Sequence, residues 1–347
     1  MSKSFDLEAW IDRDLSQAVA RGELPMAFEV EEVIRQVEDL LAGHRKRSPV
    51  FVGGRGVGKT TVVHQLLRRS AEGEGWPSLE STRVVQLSLR AIAARFRTKD
   101  KGAQQFAEIC NYIVSQEGAV VPFIRDVHLA YAFDWEPILH RFLDRMPVPV
   151  LCEAEPKALD EMLEYWTDFD ALLAPIRIDE PGVARVRRIV DAWCEEQVAA
   201  GGPDVDSGAR RAAIELTARF MGDRPFPRKV IDLLAQTVDL HMSEPSVSVQ
   251  HVVHRFSQLT QVPEGLVDPQ VPLDLGEVRE FVGGRLLGQD EAVDSVVRMI
   301  ALIKAGLADL RRPLEPFCSW GQQAWGRRTV PNSSRSICSE IGIASCG

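Results

Sequence analysis

The chain has 347 residues, a formal net charge of −9 and a sequence pI near 5.4. That length can bury a core sufficient for an enzyme of two or three structural units, and 45% hydrophobic against 26% charged residues excludes a disordered or low-complexity chain. The acidic balance disfavours a nucleic-acid partner, because nonspecific affinity for a polyanion comes from Lys and Arg neutralising phosphates.

Residues 1–45 read as a helical lead-in. Their first part carries Asp6, Glu8, Asp12, Asp14 and Glu23 and lacks the apolar stretch of a secretory signal. No run anywhere has membrane-spanning length, so a cytoplasmic protein without a membrane partner is expected. Ser48 to Val52 is a short apolar run fit for a buried strand, and it leads into Gly53-Gly54-Arg55-Gly56-Val57-Gly58-Lys59-Thr60. This is the complete G-x-x-x-x-G-K-T pattern of a phosphate loop. Its glycines let successive N–H groups turn toward phosphate oxygens, Lys59 reaches the β- and γ-phosphates, and the Thr60 hydroxyl suits magnesium. Val62, Val63, Leu66 and Leu67 follow at helical spacing, which sets the phosphates at a helix N-terminus. The expected nucleotide-binding set runs from Gly53 through Thr61, with ATP and Mg2+ as ligands.

Val84 to Leu87, Ala119 to Ile124, Val148 to Leu151 and Pro175 to Ile178 read as further strands with helical patterns between them. Such alternation predicts an α/β parallel sheet sandwiched by helices over 46–181. From Gly182 to about Leu259 no strand pattern is visible. Val183–Val198, Gly208–Phe220 and Pro227–Leu240 instead predict an all-helical lid over 182–261. The six cysteines show no metal-ligand spacing and are expected to be incidental thiols. His241, His251 and His254 lack a supporting carboxylate or Cys arrangement and are read as surface or packing residues, as are His64 and His128.

Three blocks together resemble the AAA+ family of P-loop NTPases, specifically the first ATPase module of the Clp unfoldases. They are SPVFVGGRGVGKTTVVHQLL around the loop, ARFMGDRPFPRKVIDLLAQ from Ala218 to Gln236, and RLLGQDEAVDSVVRMIALIKAGLADLRRPLEPF from Arg285 to Phe317. The second block resembles the family's lid signature and places Pro227, Arg228 and Lys229 on it, with Arg228 where the family has Asp. The third resembles the opening of a second ATPase module, so 262–317 reads as linker plus that opening. The resemblance implies ATP-driven rings, homo-hexamers or assemblies with partner AAA+ subunits, acting on protein clients. About 50 residues precede the loop, too few for the family's N-terminal domain, and the short link after the lid leaves no room for the coiled-coil insertion of the disaggregating type.

The same resemblance exposes departures. Hydrolysis needs an acidic residue at a strand end for magnesium and a second carboxylate for the attacking water. Here Arg125 aligns with the metal-side Asp and Asp126 with the catalytic Glu; shifting by one position puts Asp126 on the metal and Val127 where the base belongs. Asp126 is therefore the candidate catalytic and metal carboxylate in either register. Ala171-Leu172 falls where the arginine pair belongs, and Lys99-Asp100-Lys101-Gly102 aligns with the aromatic pore motif, with Phe96 as a possible replacement. Glu153 and Glu155 are expected to follow a strand at the γ-phosphate sensor, where their charge would repel phosphate.

After Phe317 the resemblance stops. Codons for Phe317 to Thr329 can be chosen so that the neighbouring frame reads a second phosphate loop, so 318–347 is expected to be an out-of-frame, unstructured tail produced by a single-base deletion. The helix from Asp290 to Leu310 would then lack the module it packs on, leaving Val293, Val297, Ile300 and Ile303 to seek cover against the first module or a partner chain. The expectation is a truncated Clp-type protein that binds ATP with degenerate hydrolysis. Its alternatives are an active ATPase and unfoldase subunit relying on Asp126, and a nucleotide-switched interaction module using that C-terminal helix.

Overall fold

The computed structural model describes residues 5–42, 46–74, 82–262, 264–268, 272–284 and 290–305. The chain divides into two compact units, Met1–Gly182 and Val183–Gly347. In the first unit the elements are β1 (Arg13–Asp14), α1 (Leu15–Ala20), α2 (Glu31–Ala42), β2 (Ser48–Val52), α3 (Lys59–Ala71), β3 (Arg83–Ser88), α4 (Leu89–Ala94), α5 (Lys99–Ser115), β4 (Val120–Arg125), α6 (Leu129–Ala132), α7 (Glu136–Arg145), β5 (Leu151–Ala154), α8 (Pro156–Tyr165) and β6 (Leu173–Arg177). They build one six-stranded sheet in the order β1-β3-β4-β5-β2-β6, parallel except for β1.

Period-two alternation sorts the strand side chains onto two buried faces. Val50, Val52, Val85, Leu87, Ile124, Cys152 and Ala154 face a core built with α4, α5, α7 and α8, including Phe106, Trp135 and Leu139. Phe51, Val84, Phe123, Leu151 and Ile176 face the opposite side, against Leu15, Ile34, Val37, Val62, Val63 and Leu66 of α1, α2 and α3. The loop helix therefore lies on the second face. That orientation fixes which strand-end residues can reach it.

Three elements depart from the sequence expectation. The lead-in is not wholly helical: β1 pairs antiparallel with β3, and Asp14 both caps α1 and accepts a 2.7 Å bond from Arg83 Nε. The strand expected at Val148 to Leu151 begins only at Leu151 and runs to Ala154. Pro149 has no N–H, and the Val150 amide donates to Ser48 Oγ at 3.0 Å instead of to a ladder. The last strand is displaced in the other direction, ending at Arg177 rather than Ile178, with Pro175 tolerated because β6 is an edge.

The second unit comprises α9 (Val183–Ala199), β7 (Asp204–Val205), α10 (Ser207–Phe220), α11 (Arg228–Leu240), β8 (Ser246–Val247), α12 (Val249–Thr260), α13 (Glu264–Val267), α14 (Leu275–Gly283) and α15 (Asp290–Lys304). It is not wholly helical, since β7 and β8 form a short parallel pair in which Val205 and Val247 are buried. Two-residue strands carry too little alternation to register as a pattern. Val293, Val296 and Ile300 on α15 are buried in the same core as Val190, Leu234 and Phe256, and Val297 packs against it. The apolar face expected to seek cover against the first module or a partner chain is thus covered by residues of the span read as the first module's lid. Ile303's side chain, the segment 306–317 and the tail 318–347 lie outside the described residues. Among the described residues, no helix is long and apolar enough to cross a membrane.

Candidate nucleotide site

The site starts where β2 ends. Gly53 leaves the strand with its N–H donating to Ala154 O at 3.3 Å, and a Cβ there would lie 2.4 Å from Ile178 O and 2.8 Å from Val57 Cγ2. Only glycine fits so close an approach. Gly54 and Arg55 are exposed at the rim, Gly56 turns the chain at φ +94°, and Gly58 caps α3 from the left-handed region at φ +105°. The first helical bond runs from Val62 N to Gly58 O at 3.0 Å. The amides of Lys59, Thr60 and Thr61 precede it and lie at the positive end of the helix dipole. Lys59 is buried, with Nζ donating to Gly53 O at 2.8 Å and Gly54 O at 2.9 Å, so its ammonium is held over the loop. Burial pushes its pKa down, and the charges of Glu153, Asp126 and Glu155 partly offset that.

Beneath Thr60 the ends of β4 and β5 meet. Thr60 Oγ1 donates to Glu153 Oε2 at 2.8 Å, and Arg125 Nε donates to Glu153 Oε1 at 3.0 Å. Glu153 therefore does not follow the strand as expected: it lies within β5, with its side chain 4% exposed and its carboxylate turned toward Thr60 and Arg125. The sequence reading missed this role. The signal was present, because Glu153 stands two residues after Leu151 and shares its face. Asp126 follows Arg125 at φ +52°, half-buried, and contributes with Glu153 to the field at Lys59. His128 is buried and its Nδ1 accepts from Glu155 N at 3.4 Å; burial lowers its pKa, which suits an anchoring role. A hydroxyl and carboxylates offer the hard oxygen donors that magnesium prefers, and a nearby ammonium with open amides suits a polyphosphate, so the residues fit ATP with Mg2+.

The other singled-out residues have contacts of their own. Pro227 precedes α11 after a cis Phe226–Pro227 bond, and Arg228 pairs with Asp232 at 3.3 Å. Lys229 is buried, its Nζ donating to Met221 O at 2.9 Å and lying 4.1 Å from the Phe226 ring centroid. Lys99 to Gly102 form the first turn of α5, with Lys99 paired to Asp134 at 2.6 Å and Gly102 against Trp135. Phe96, considered as a replacement for a gripping aromatic, is stacked on Trp10 with ring centroids 6.0 Å apart. Ala171 ends a short 3-10 turn before β6.

His241, Glu244 and His251 do come together, contrary to the expectation of no supporting carboxylate: Glu244 lies 2.7 Å from His241 Nδ1 and 3.5 Å from His251 Nε2. The Ser248 amide donates to His251 Nδ1, which leaves the ring proton on Nε2 facing Glu244. In that tautomer His251 is a donor to Glu244. His254 lies apart, 2.6 Å from Glu264.

No protein-family model matches the chain. It is similar to the chaperone protein ClpB of Mycoplasmoides gallisepticum, 25% identical over 288 residues that make up 78% of this chain and 40% of that protein. It is likewise similar to the ClpB of Meiothermus ruber, 26% identical over 284 residues, 78% of this chain and 33% of the relative. The chain thus matches well under half the length of these curated relatives. In fold it is similar to Hsp104 solved with ATPγS and FITC casein and to the Saccharomyces cerevisiae Hsp104–casein complex in its extended conformation. Each superposes with a TM-score of 0.67 at 21% identity, covering 88% of this chain and 54% of that one.

Proposed function

The chain belongs to the Clp family of AAA+ ATPase modules, and from that premise we propose that it binds ATP with magnesium through Gly53 to Thr61 and hydrolyses it slowly or not at all. The observation that carries the binding is the Lys59 ammonium held over a glycine loop that ends at the N-terminus of α3. Triphosphate oxygens would take over the place of the Gly53 and Gly54 carbonyls as partners of Nζ, and the charge of the phosphates would meet the helix N-terminus. Slow turnover follows from the strand end. Arg125 occupies the position aligned with the family's metal-side Asp and is committed to Glu153, while Ala171 and Leu172 stand where the family has its arginine pair. Lost arginine fingers alone cost several orders of magnitude in rate.

A second reading keeps the chain an active ATPase subunit with Asp126 as its carboxylate. It is supported by one observation, the half-exposed Asp126 whose charge acts on Lys59. The third reading, a switch that recruits a partner through its last helix, draws no support from Val293, Val296 and Ile300, which are buried. Ring formation with itself or with other AAA+ subunits enters this proposal from the family resemblance alone, and action on protein clients from the casein-bound Hsp104 structures. Titration with a fluorescent ATP analogue tests binding: Lys59→Ala should weaken affinity at least tenfold, about 1.4 kcal/mol. Unchanged affinity in a folded Lys59→Ala sample would overturn the reading.

A further inference from the structure

We propose that Glu153 is the carboxylate that positions Thr60 for magnesium in this chain, supplied by β5 because β4 ends in Arg125. The inference rests on the ATP reading above and adds a residue that the alignment of strand ends did not identify.

The sheet brings the two residues together. β4 and β5 run parallel with Phe123 opposite Leu151 and Ile124 opposite Cys152, so the next step along the ladder sets Arg125 beside Glu153. Alternation puts both on the face of Phe123 and Leu151, which is the face covered by α3. Thr60 stands in the first turn of α3, directly in reach. Each carboxylate oxygen then has its own donor, Thr60 Oγ1 on Oε2 at 2.8 Å and Arg125 Nε on Oε1 at 3.0 Å.

The chemistry follows from the direction of the hydroxyl proton. A threonine hydroxyl has one proton and two lone pairs, and a carboxylate that takes the proton leaves the lone pairs for a cation. Glu153 takes it here. A carboxylate only 4% exposed carries a heavy desolvation cost unless it is paired, and Arg125 supplies that counter-charge while remaining 42% exposed itself. Arg125 thus stands as the partner of Glu153 at the point where the family alignment would have placed an acid. Glu153 is a positioning residue, acting on the ion through Thr60. The competing account is a strand-to-strand ion pair with no part in ligand binding.

Affinity for a fluorescent ATP analogue, measured with magnesium and again with EDTA, separates the two accounts. In the wild type, magnesium should tighten binding about tenfold or more. Glu153→Gln should lower that ratio at least fivefold while changing the EDTA affinity less than twofold. The double variant Arg125→Asp, Glu153→Gln returns a carboxylate to β4 and should recover the magnesium ratio. It also carries the test should Glu153→Gln fail to fold. A folded Glu153→Gln protein with the wild-type ratio, or a folded double variant without recovery, overturns the inference and leaves ATP binding standing. A wild type that binds the analogue under neither condition overturns the ATP reading and this one with it.

Discussion

Asp126 holds a left-handed backbone at φ +52°, a conformation that Asn and Asp adopt more readily than other non-glycine residues. A test of its chemistry must therefore keep its backbone. Asp126→Asn removes the charge and preserves the turn, whereas Asp126→Ala adds a strain of roughly 1 kcal/mol unrelated to catalysis. If the chain turns ATP over through Asp126, phosphate release should fall at least a hundredfold in Asp126→Asn. With slow wild-type turnover, as proposed, the two proteins should differ little in phosphate release. His64 offers a second residue-scale expectation. It is buried on α3 near Arg13 and Arg68, and burial followed by those two charges pushes its pKa down to about 4 from 6.5. The unfolded chain therefore binds the proton more readily than the native one, so stability is whole above pH 6.5 and is lost as pH falls toward 4. The loss is on the order of 3 kcal/mol at its limit. His64→Leu should flatten that acid limb in denaturant titrations followed between pH 7 and pH 4.

At the scale of elements, β2 and its loop were the most legible part of the chain. Ser48 to Val52 is wholly buried and apolar enough to be read directly, and the glycine spacing names the turn that follows. Legibility fell where tertiary partners decided the outcome. β5 begins three residues later than its hydrophobic run suggests, because a proline and a side-chain bond from Ser48 delay the ladder. That delay moved Glu153 from beyond a strand's end to the inside of one, and so concealed its partners. A carboxylate in a strand reads as a misfit until the arginine on the next strand is known, and sequence separation hides that pairing. Gly53 gives the element its own test. A methyl group there would meet Ile178 O at 2.4 Å, which requires the backbone to shift. Gly53→Ala should weaken nucleotide affinity at least tenfold while leaving the far-UV circular dichroism spectrum close to that of the wild type.

For the whole molecule, the alternation of strands and helices was enough to predict a sheet covered on both faces, and the helical periodicity of the second unit was visible across α9, α10 and α11. The destination of α15 was not visible. Its apolar stripe was plain in Val293, Val297 and Ile300, but periodicity does not say which surface receives a stripe. The structure buries it among Val190, Leu234 and Phe256. Ile300→Ala should accordingly cost about 2–5 kcal/mol in the stability of that unit, read by denaturant unfolding. A change below 0.5 kcal/mol would mean that the helix stands away from this core.

The two residues of β1 carry a further implication for the sheet. Hydrogen bonds from Asp12 N to Gln86 O, together with the Asp14–Arg83 pair, close the outer side of β3. The acidic lead-in thereby acts as a selvedge, hemming a margin that would otherwise offer its free amides and carbonyls to any passing extended chain. A fragment trimmed to begin at Leu15 keeps α1, α2 and every loop residue and loses that hem, so it should self-associate at concentrations where the intact chain stays dispersed, as light scattering would register.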